Sequence, residues 1–352
     1  MTVTHTFAAQ ILSTSAIGLA RLAAEKAVPQ FADPSRYGEG AGGMWRDQLS
    51  GRLSDLSLAL ADERPEHFAE QLGWAKIAFG SRGVPEIDLK TSLRCLREVL
   101  AEELPENVSA LSIPYLDAAL ARWESLGEGE PSALHAQDEE GKLAARYVMA
   151  LMEGDRSRAC ELVLGKVRAG ELAPQDALLK VCLPAARELG RLWHLDEITV
   201  AEEHFTTATT LRLMSQLLLL APRAELNGKT VVAATLTGDD HDLGLRAVTD
   251  LMEMDGWRVV FLGSNLPVDD LVWSVSAFHG DLVLLSATLA AHAHQVASAT
   301  LKLKDAGDVP VLVGGGAFTS REGLWQRVGA DAVAYSAGDA LPAARKLVGL
   351  ES

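Results

Sequence analysis

The sequence predicts a multidomain chain: an all-helical first third, a four-helix bundle, and a doubly wound α/β domain built on five parallel strands. Three observations predict it. Apolar residues recur at three- and four-residue steps from about residue 5 to about residue 221, the period of amphipathic helices. From about residue 226 the pattern changes to short apolar runs alternating with helical stretches. A polar, glycine- and acid-rich stretch, "GEGEPSALHAQDEEG" at 127–141, reads as a linker between the first helices and the rest. The expected domains are 1–130, 131–224 and 225–352.

Taken in order, the first third carries "FAAQILSTSAIGLARLAAEKAV", "MWRDQLSGRLSDLSLALAD", "RPEHFAEQLGWAKIAFGSRG", "EIDLKTSLRCLREVLAEELP" and "IPYLDAALARWESLG". Breaks are expected at Pro29, Pro34, Gly38–Gly43, Pro65, Gly83–Pro85, Pro105 and Pro114. The bundle reads as "KLAARYVMALMEG", "RSRACELVLGKVRAG", "APQDALLKVCLPAARELGRLWHLDEI" and "TVAEEHFTTATTLRLMSQLLLLA". Its short breaks at Gly154–Asp155 and Gly170–Glu171 suit antiparallel neighbours. In the last domain the strands are "TVVAATL", "WRVVFLG", "LVLLSAT", "VPVLVGG" and "DAVAYS". Helices are expected to begin near Leu243, Val268, His292, Arg321 and Gly338. Ligands of such sheets bind beyond the carboxyl ends of the strands, so the loops that follow strands deserve the search.

Composition narrows the class. The hydrophobic share is 48% and the charged share 23%, values of a folded globular chain. A net charge of −16 speaks against nucleic acid and anionic membrane as partners, and residues 1–130 repeat the point with twelve Lys/Arg against nineteen Asp/Glu. Cys95, Cys160 and Cys182 have no metal-type or redox spacing and read as free buried thiols. No stretch reads as a bilayer span and "MTVTHTFAAQ" lacks the marks of a signal peptide, so a cytoplasmic protein is expected.

The first strand runs into "TGDDHDLG", which contains Asp239-x-His241-x-x-Gly244 with Leu243 opening the next helix. A neutral imidazole is a good axial donor to a metal when an acceptor orients its other nitrogen, and Asp239 is placed to do so. Gly244 permits close approach of a large flat ring. An exposed histidine in an acidic loop is the plainer alternative for these residues. Strand three ends in Ser286-x-Thr288-Leu289, small hydroxyls able to line a slot, and strand four in Gly314–Gly315–Gly316. Ordinary turn chemistry would also explain both. The order DxHxxG, SxTL, GG resembles the cobalamin-binding domains of methionine synthases and mutases, a flavodoxin-like fold. The resemblance implies cobalt held from below by His241, with the nucleotide tail threading between these loops.

Upstream, "GRLWHLDEITVAEEHFTTAT" places Trp193 and the pair Glu203–His204 with nine residues between them, with His194 after the Trp and Val200 among the nine. This resembles the cap over the upper corrin face in CarH-type cobalamin photoreceptors. An aromatic anchor for the bundle beside an exposed Glu-His pair is the structural alternative. The resemblance implies that Trp193 and Val200 shelter a 5′-deoxyadenosyl group, that Glu203 hydrogen-bonds it, and that His194 reaches cobalt once the group leaves. It also implies that light breaks the cobalt–carbon bond and thereby changes conformation and assembly.

The first third differs from the basic helix-turn-helix region of CarH proteins. "HFAEQLGWAKIAFGSRGVP" followed by "LKTSLRCLREVLAEELP" resembles non-haem sensor globins. A globin-like domain joined to a cobalamin photoreceptor module resembles the photocobilins, which implies biliverdin as a second chromophore beside adenosylcobalamin. No contact carries over by motif. Chemistry alone nominates Arg36, Tyr37, His67, Trp74 and Arg82, since propionates want guanidinium groups and pyrrole nitrogens want polar partners. Cys95 reads as a buried small residue rather than an attachment point.

The sequence reading is therefore a non-enzymatic light sensor whose output is self-association or a downstream signalling protein. A corrinoid shuttle of a methyltransferase system is the alternative, and a regulatory module that has lost its cofactor is a third reading.

Overall fold

The computed structural model describes residues 4–127, 132–134 and 138–350. Residues 128–131 and 135–137 of the expected linker lie outside the described residues. The chain divides into two compact units: Met1–Pro131 with Leu192–Glu197, and Ser132–Arg191 with Ile198–Ser352.

The first unit is helical: α1 (His5–Ala27), α2 (Ala41–Ala61), α3 (Pro65–Ser81), α4 (Glu86–Glu103) and α5 (Glu106–Ala121). α1 starts where Thr4 accepts from the Phe7 amide, and α3 starts at Pro65, whose missing N–H is no loss at a first turn. Leu12, Leu19, Trp45, Leu53, Phe68, Leu93 and Leu96 build one core. The break expected at Pro114 is absent: α5 begins at Glu106 and runs through it. A proline inside a helix costs roughly 3 kcal/mol, and here the apolar face of Val108, Tyr115, Leu116 and Ala119 is buried on both sides of it. The stretch His5–Gln30 is long and apolar enough to cross a membrane by length and composition, contrary to the sequence reading. Its nine buried residues face the core and the opposite face carries an Arg21–Glu25 ion pair, which is the pattern of a core helix.

The second unit joins the bundle to the sheet. The bundle comprises α6 (Glu139–Met152), α7 (Arg156–Arg168), the short α8 (Pro174–Ala177), a π-helical turn Leu178–Cys182, α9 (Leu183–His194) and α10 (Val200–Leu220). The last turn of α9 belongs to the first unit. Tyr147 meets Thr210 at 3.0 Å in the bundle core, so the buried phenol is satisfied.

The sheet strands are β1 (Thr230–Leu236), β2 (Arg258–Leu266), β3 (Leu282–Ser286), β4 (Val311–Gly314) and β5 (Ala332–Val333), ordered β2-β1-β3-β4-β5 and all parallel. Between them run α11 (Leu243–Met254), α12 (Val268–Ala277), α13 (Ala293–Ala306), α14 (Gly316–Thr319) and α15 (Leu324–Arg327), with α16 (Ala337–Leu347) closing the domain. The helix expected near Arg321 is instead the two short turns α14 and α15, interrupted at Gly323 with φ +74°. β1 is buried at every residue: Val232 and Ala234 pack towards Leu271 and Val296, Val231 and Ala233 towards Leu245 and Ala344. The order reverses between β1 and β3, and at that switch point Thr235, Ser286 and Gly314 stand in register. The loops that leave these three residues therefore emerge side by side.

Candidate functional site

The loop after β1 is tied down before its chemistry begins. Thr235, fully buried, donates to the Asp239 carbonyl at 2.5 Å, and the Asn265 amide at the end of β2 donates to Thr235 Oγ1 at 3.2 Å. Asn265 itself adopts φ +59°, and its side-chain oxygen accepts from the Gly238 amide at 2.9 Å. Gly238 needs its glycine for φ +95°.

Asp239 is the hub of this loop and is only 1% exposed. Its Oδ1 accepts from the His241 amide at 3.1 Å and lies 2.9 Å from His241 Nδ1. Its Oδ2 accepts from the Thr288 amide at 2.6 Å. His292 Nδ1 lies 3.2 Å from the same oxygen, at ion-pair distance but without hydrogen-bond alignment. Burial alone would raise the carboxyl pKa; the two imidazoles and the two amides outweigh it and hold the group well below the usual carboxylate range.

The His241 side chain, by contrast, is 66% exposed. With Nδ1 committed to Asp239, its Nε2 is the nitrogen left for another partner. The hydrogen bond to Asp239 raises the imidazole pKa against partial burial, helped by the charges of Asp239, Asp240 and Glu203. Asp240 is exposed and Asp242 pairs with Arg246 at 3.0 Å, so neither competes for His241. Leu243 opens α11, and a Cβ added at Gly244 would meet no protein atom within 4 Å. That is an open place beside the exposed imidazole.

The glycine loop is packed closely against the loop that follows β3. A Cβ on Gly315 would lie 2.5 Å from the Ala287 carbonyl oxygen and 2.7 Å from Ser286 Oγ, and one on Gly316 would lie 2.8 Å from the Thr288 carbonyl oxygen. Gly314 has ordinary room, with the Ala334 carbonyl at 3.4 Å. The glycines thus let the β4 loop press against the β3 loop. Ser286 and Thr288 are half-buried at that seam, while Leu289 is an exposed apolar residue beside it.

Among the bundle residues, Thr199 and Glu202 form a reciprocal cap at the start of α10. Glu202 is thereby consumed, and Glu203 turns elsewhere. Its carboxylate meets His204 Nδ1 at 2.7 Å and accepts from Thr207 Oγ1 at 2.6 Å. Val200 and His204 are exposed.

Trp193 and His194 lie in the first unit. His194 is 2% exposed and stacks on Trp74, ring centroids 3.9 Å apart. Neither of its ring nitrogens has an aligned hydrogen-bond partner among the described residues. Burial, then the nearby Arg82 charge, lower its pKa, leaving a neutral imidazole with one unspent donor and one unspent acceptor.

The five bilin candidates are not brought together. His67 is buried against Asp62 at 2.8 Å, Tyr37 donates to Asp88 at 2.7 Å, and Arg36 is exposed on a 3₁₀ turn. Only Trp74 and Arg82 converge, both on the Trp193–His194 segment. Thr235, Asn265 and His292 were missed by sequence reasoning; His292 alone left a signal, six residues past Ser286 in the same loop.

Comparison with known proteins bears on this arrangement. Residues 229–345 and residues 143–218 match two families, each described as a B12 binding domain. A cobalamin is the cofactor these matches support. The chain is 28% identical over 240 residues to the HTH-type transcriptional repressor CarH of Myxococcus xanthus, covering 67% of this chain and 77% of that protein. It is 25% identical over 185 residues to dimethylamine corrinoid protein 1 of Methanosarcina acetivorans, covering 51% and 85%. The structure of the Methanosarcina barkeri monomethylamine corrinoid protein shares the fold, with a TM-score of 0.51 at 18% identity over 60% of this chain and 99% of that one. The residues present fit the cofactor: an oriented, exposed imidazole at His241 and an open place at Gly244.

Proposed function

We propose that the protein is a cytoplasmic, non-enzymatic light sensor that binds adenosylcobalamin with His241 as the lower cobalt ligand. The observation that carries this reading is the split of His241, one nitrogen locked to a buried carboxylate and the other left free. Bound adenosylcobalamin supplies a light-labile cobalt–carbon bond. The chain's own residues do the rest. Asp239 holds the imidazole tautomer with the proton on Nδ1, Gly244 would leave room for the ring, and Ser286, Thr288, Leu289 and Gly314–Gly316 are the residues that would contact the nucleotide tail.

Trp193, Val200, Glu203 and His204 would be the residues that shelter the adenosyl group of a bound cofactor, a reading that rests on the spacing of the Trp and the Glu-His pair. The likeness to a repressor over 67% of the chain supports the cap reading. His194, buried with both nitrogens unspent, is the candidate upper ligand after photolysis. The output is a change in conformation and homo-oligomeric state, read by a downstream protein. The acidic first third supports a partner other than nucleic acid. That third acts as a sensory helical domain, and biliverdin is the chromophore to test in it.

A corrinoid shuttle is the second reading, favoured by the match to a dimethylamine corrinoid protein along 85% of that relative. One experiment separates them: purify the protein with adenosylcobalamin in the dark and record absorption and size before and after green light. A spectral change with a change in assembly is expected. Failure to bind the adenosyl form ends the photoreceptor reading, and binding of methylcobalamin with a light-stable assembly establishes the shuttle. Added biliverdin should produce a red-absorbing band, and a duplex-DNA titration should show no binding.

A further inference from the structure

The segment Leu192–Glu197 ends α9 in an unusual way. The Glu197 amide donates to the Leu192 carbonyl and the Asp196 amide to the Trp193 carbonyl, the paired bonds of a Schellman cap. The left-handed position, φ +59°, is filled by Asp196 and not by glycine, a conformation a side chain disfavours. Such an end is held only if something else holds it.

Arg82 does so. Its Nη2 donates to the Trp193 carbonyl at 3.0 Å and its Nη1 to the His194 carbonyl at 3.1 Å. Nη1 also donates to the Ala78 carbonyl at 2.9 Å, in the last turn of α3. One guanidinium therefore bridges the negative ends of two helices, α3 and α9, where a cation is most favoured. The same group lies 5.0 Å above the Trp193 ring, and its Nε is 4.0 Å from Asp196. Ser81 adds a bond to the His194 carbonyl at 3.2 Å, and Trp74 stacks on the His194 ring. Every one of these partners sits on α3 or its C-terminal residue.

We propose that Arg82 is a positioning residue: it fixes the aromatic pair Trp193–His194 to α3, so that this pair moves with the N-terminal helices. A ligand or partner that shifts α3 thereby resets the pair. The functional consequence rests on the cobalamin reading, but the clamp does not, and the test is made so that the two fail separately.

Hydrogen exchange of the apoprotein, read on peptides covering 192–198, needs no cofactor. Arg82→Ala should speed exchange of the Asp196 and Glu197 amides by tenfold or more. Arg82→Lys, which keeps charge and one donor, should restore part of the protection, and Arg82→Gln should restore less than Lys. In 5-fluorotryptophan protein the Trp193 resonance should shift in Arg82→Ala and move back towards the parent position in Arg82→Lys. Exchange within twofold of the parent in Arg82→Ala, or in Arg82→Gln should the alanine variant not fold, would overturn the clamp. So would an unmoved Trp193 resonance. If the clamp stands and no cobalamin binds, the functional reading alone has failed.

Discussion

Asp239 Oδ1 lies 2.9 Å from His241 Nδ1, yet the carboxylate is buried and most of the imidazole is in solvent. The pair is a buried anchor with an exposed working end. The two residues should therefore separate stability from ligation. Asp239→Ala strands the Thr288 and His241 amides and removes the charge beside His292, and should destabilise the apoprotein by about 2–4 kcal/mol. His241→Ala leaves Asp239 its other partners and should cost about 1 kcal/mol. Both should weaken cobalamin binding, and His241→Ala should alter the cobalt spectrum. Denaturant melts and cobalamin titrations on the two variants check this.

Two glycines should behave in opposite ways. Gly315→Ala meets two oxygens at 2.5 and 2.7 Å with φ +95°, and should cost roughly 2–4 kcal/mol in the apoprotein. Gly244→Ala meets no protein atom within 4 Å and sits in a helix, where alanine is favoured by up to about 1 kcal/mol. It should leave the apoprotein as stable or more so while weakening cobalamin binding. Unimpaired binding in Gly244→Ala would remove that glycine from the proposed site.

Asp250 on α11 supplies a pH signature. Burial, reinforced by Glu253 and opposed by Arg246, pushes its carboxyl up to about 7. The ordinary value in the unfolded chain is about 4. Between the two the folded state holds the extra proton, so stability falls as pH rises from about 4 to about 7 and the loss is complete above that. Asp250→Asn should stabilise the protein at pH 8 by about 1–2 kcal/mol and make little difference at pH 4, as thermal melts at the two pH values will read.

Tyr37 reads as a structural phenol. It donates to Asp88, which is 1% exposed, and burial and the Asp88 carboxylate both raise the phenol's pKa. Tyr37→Phe leaves that carboxylate without its donor and should cost about 1–3 kcal/mol in apoprotein stability. A neutral result by denaturant melt would return Tyr37 to the set of free ligand candidates.

Period and loop position were enough to place β1 at 230–236, the start of α11 at Leu243, and the DxHxxG histidine after the first strand, because apolar patterning and a strand-end loop are local properties of the chain. The same local reading failed at Pro114, where burial on both sides of the proline carried α5 through it. What it could not show is the packing at Gly315, where the Ala287 carbonyl of the neighbouring loop, 28 positions away, leaves no room for a Cβ.

By itself, then, the sequence determined the helical first part, the parallel α/β domain and the place of the DxHxxG histidine in the loop after the first strand. Only the tertiary structure decided what holds that histidine and what holds the Trp193–His194 segment. His292 reaches Asp239 because β1 and β3 are neighbours in the sheet, and Arg82 reaches Trp193 because α3 and the end of α9 share one compact unit. Spacing along the chain records what one element needs for itself; the partner of a buried charge or a helix end is chosen by which distant element packs beside it.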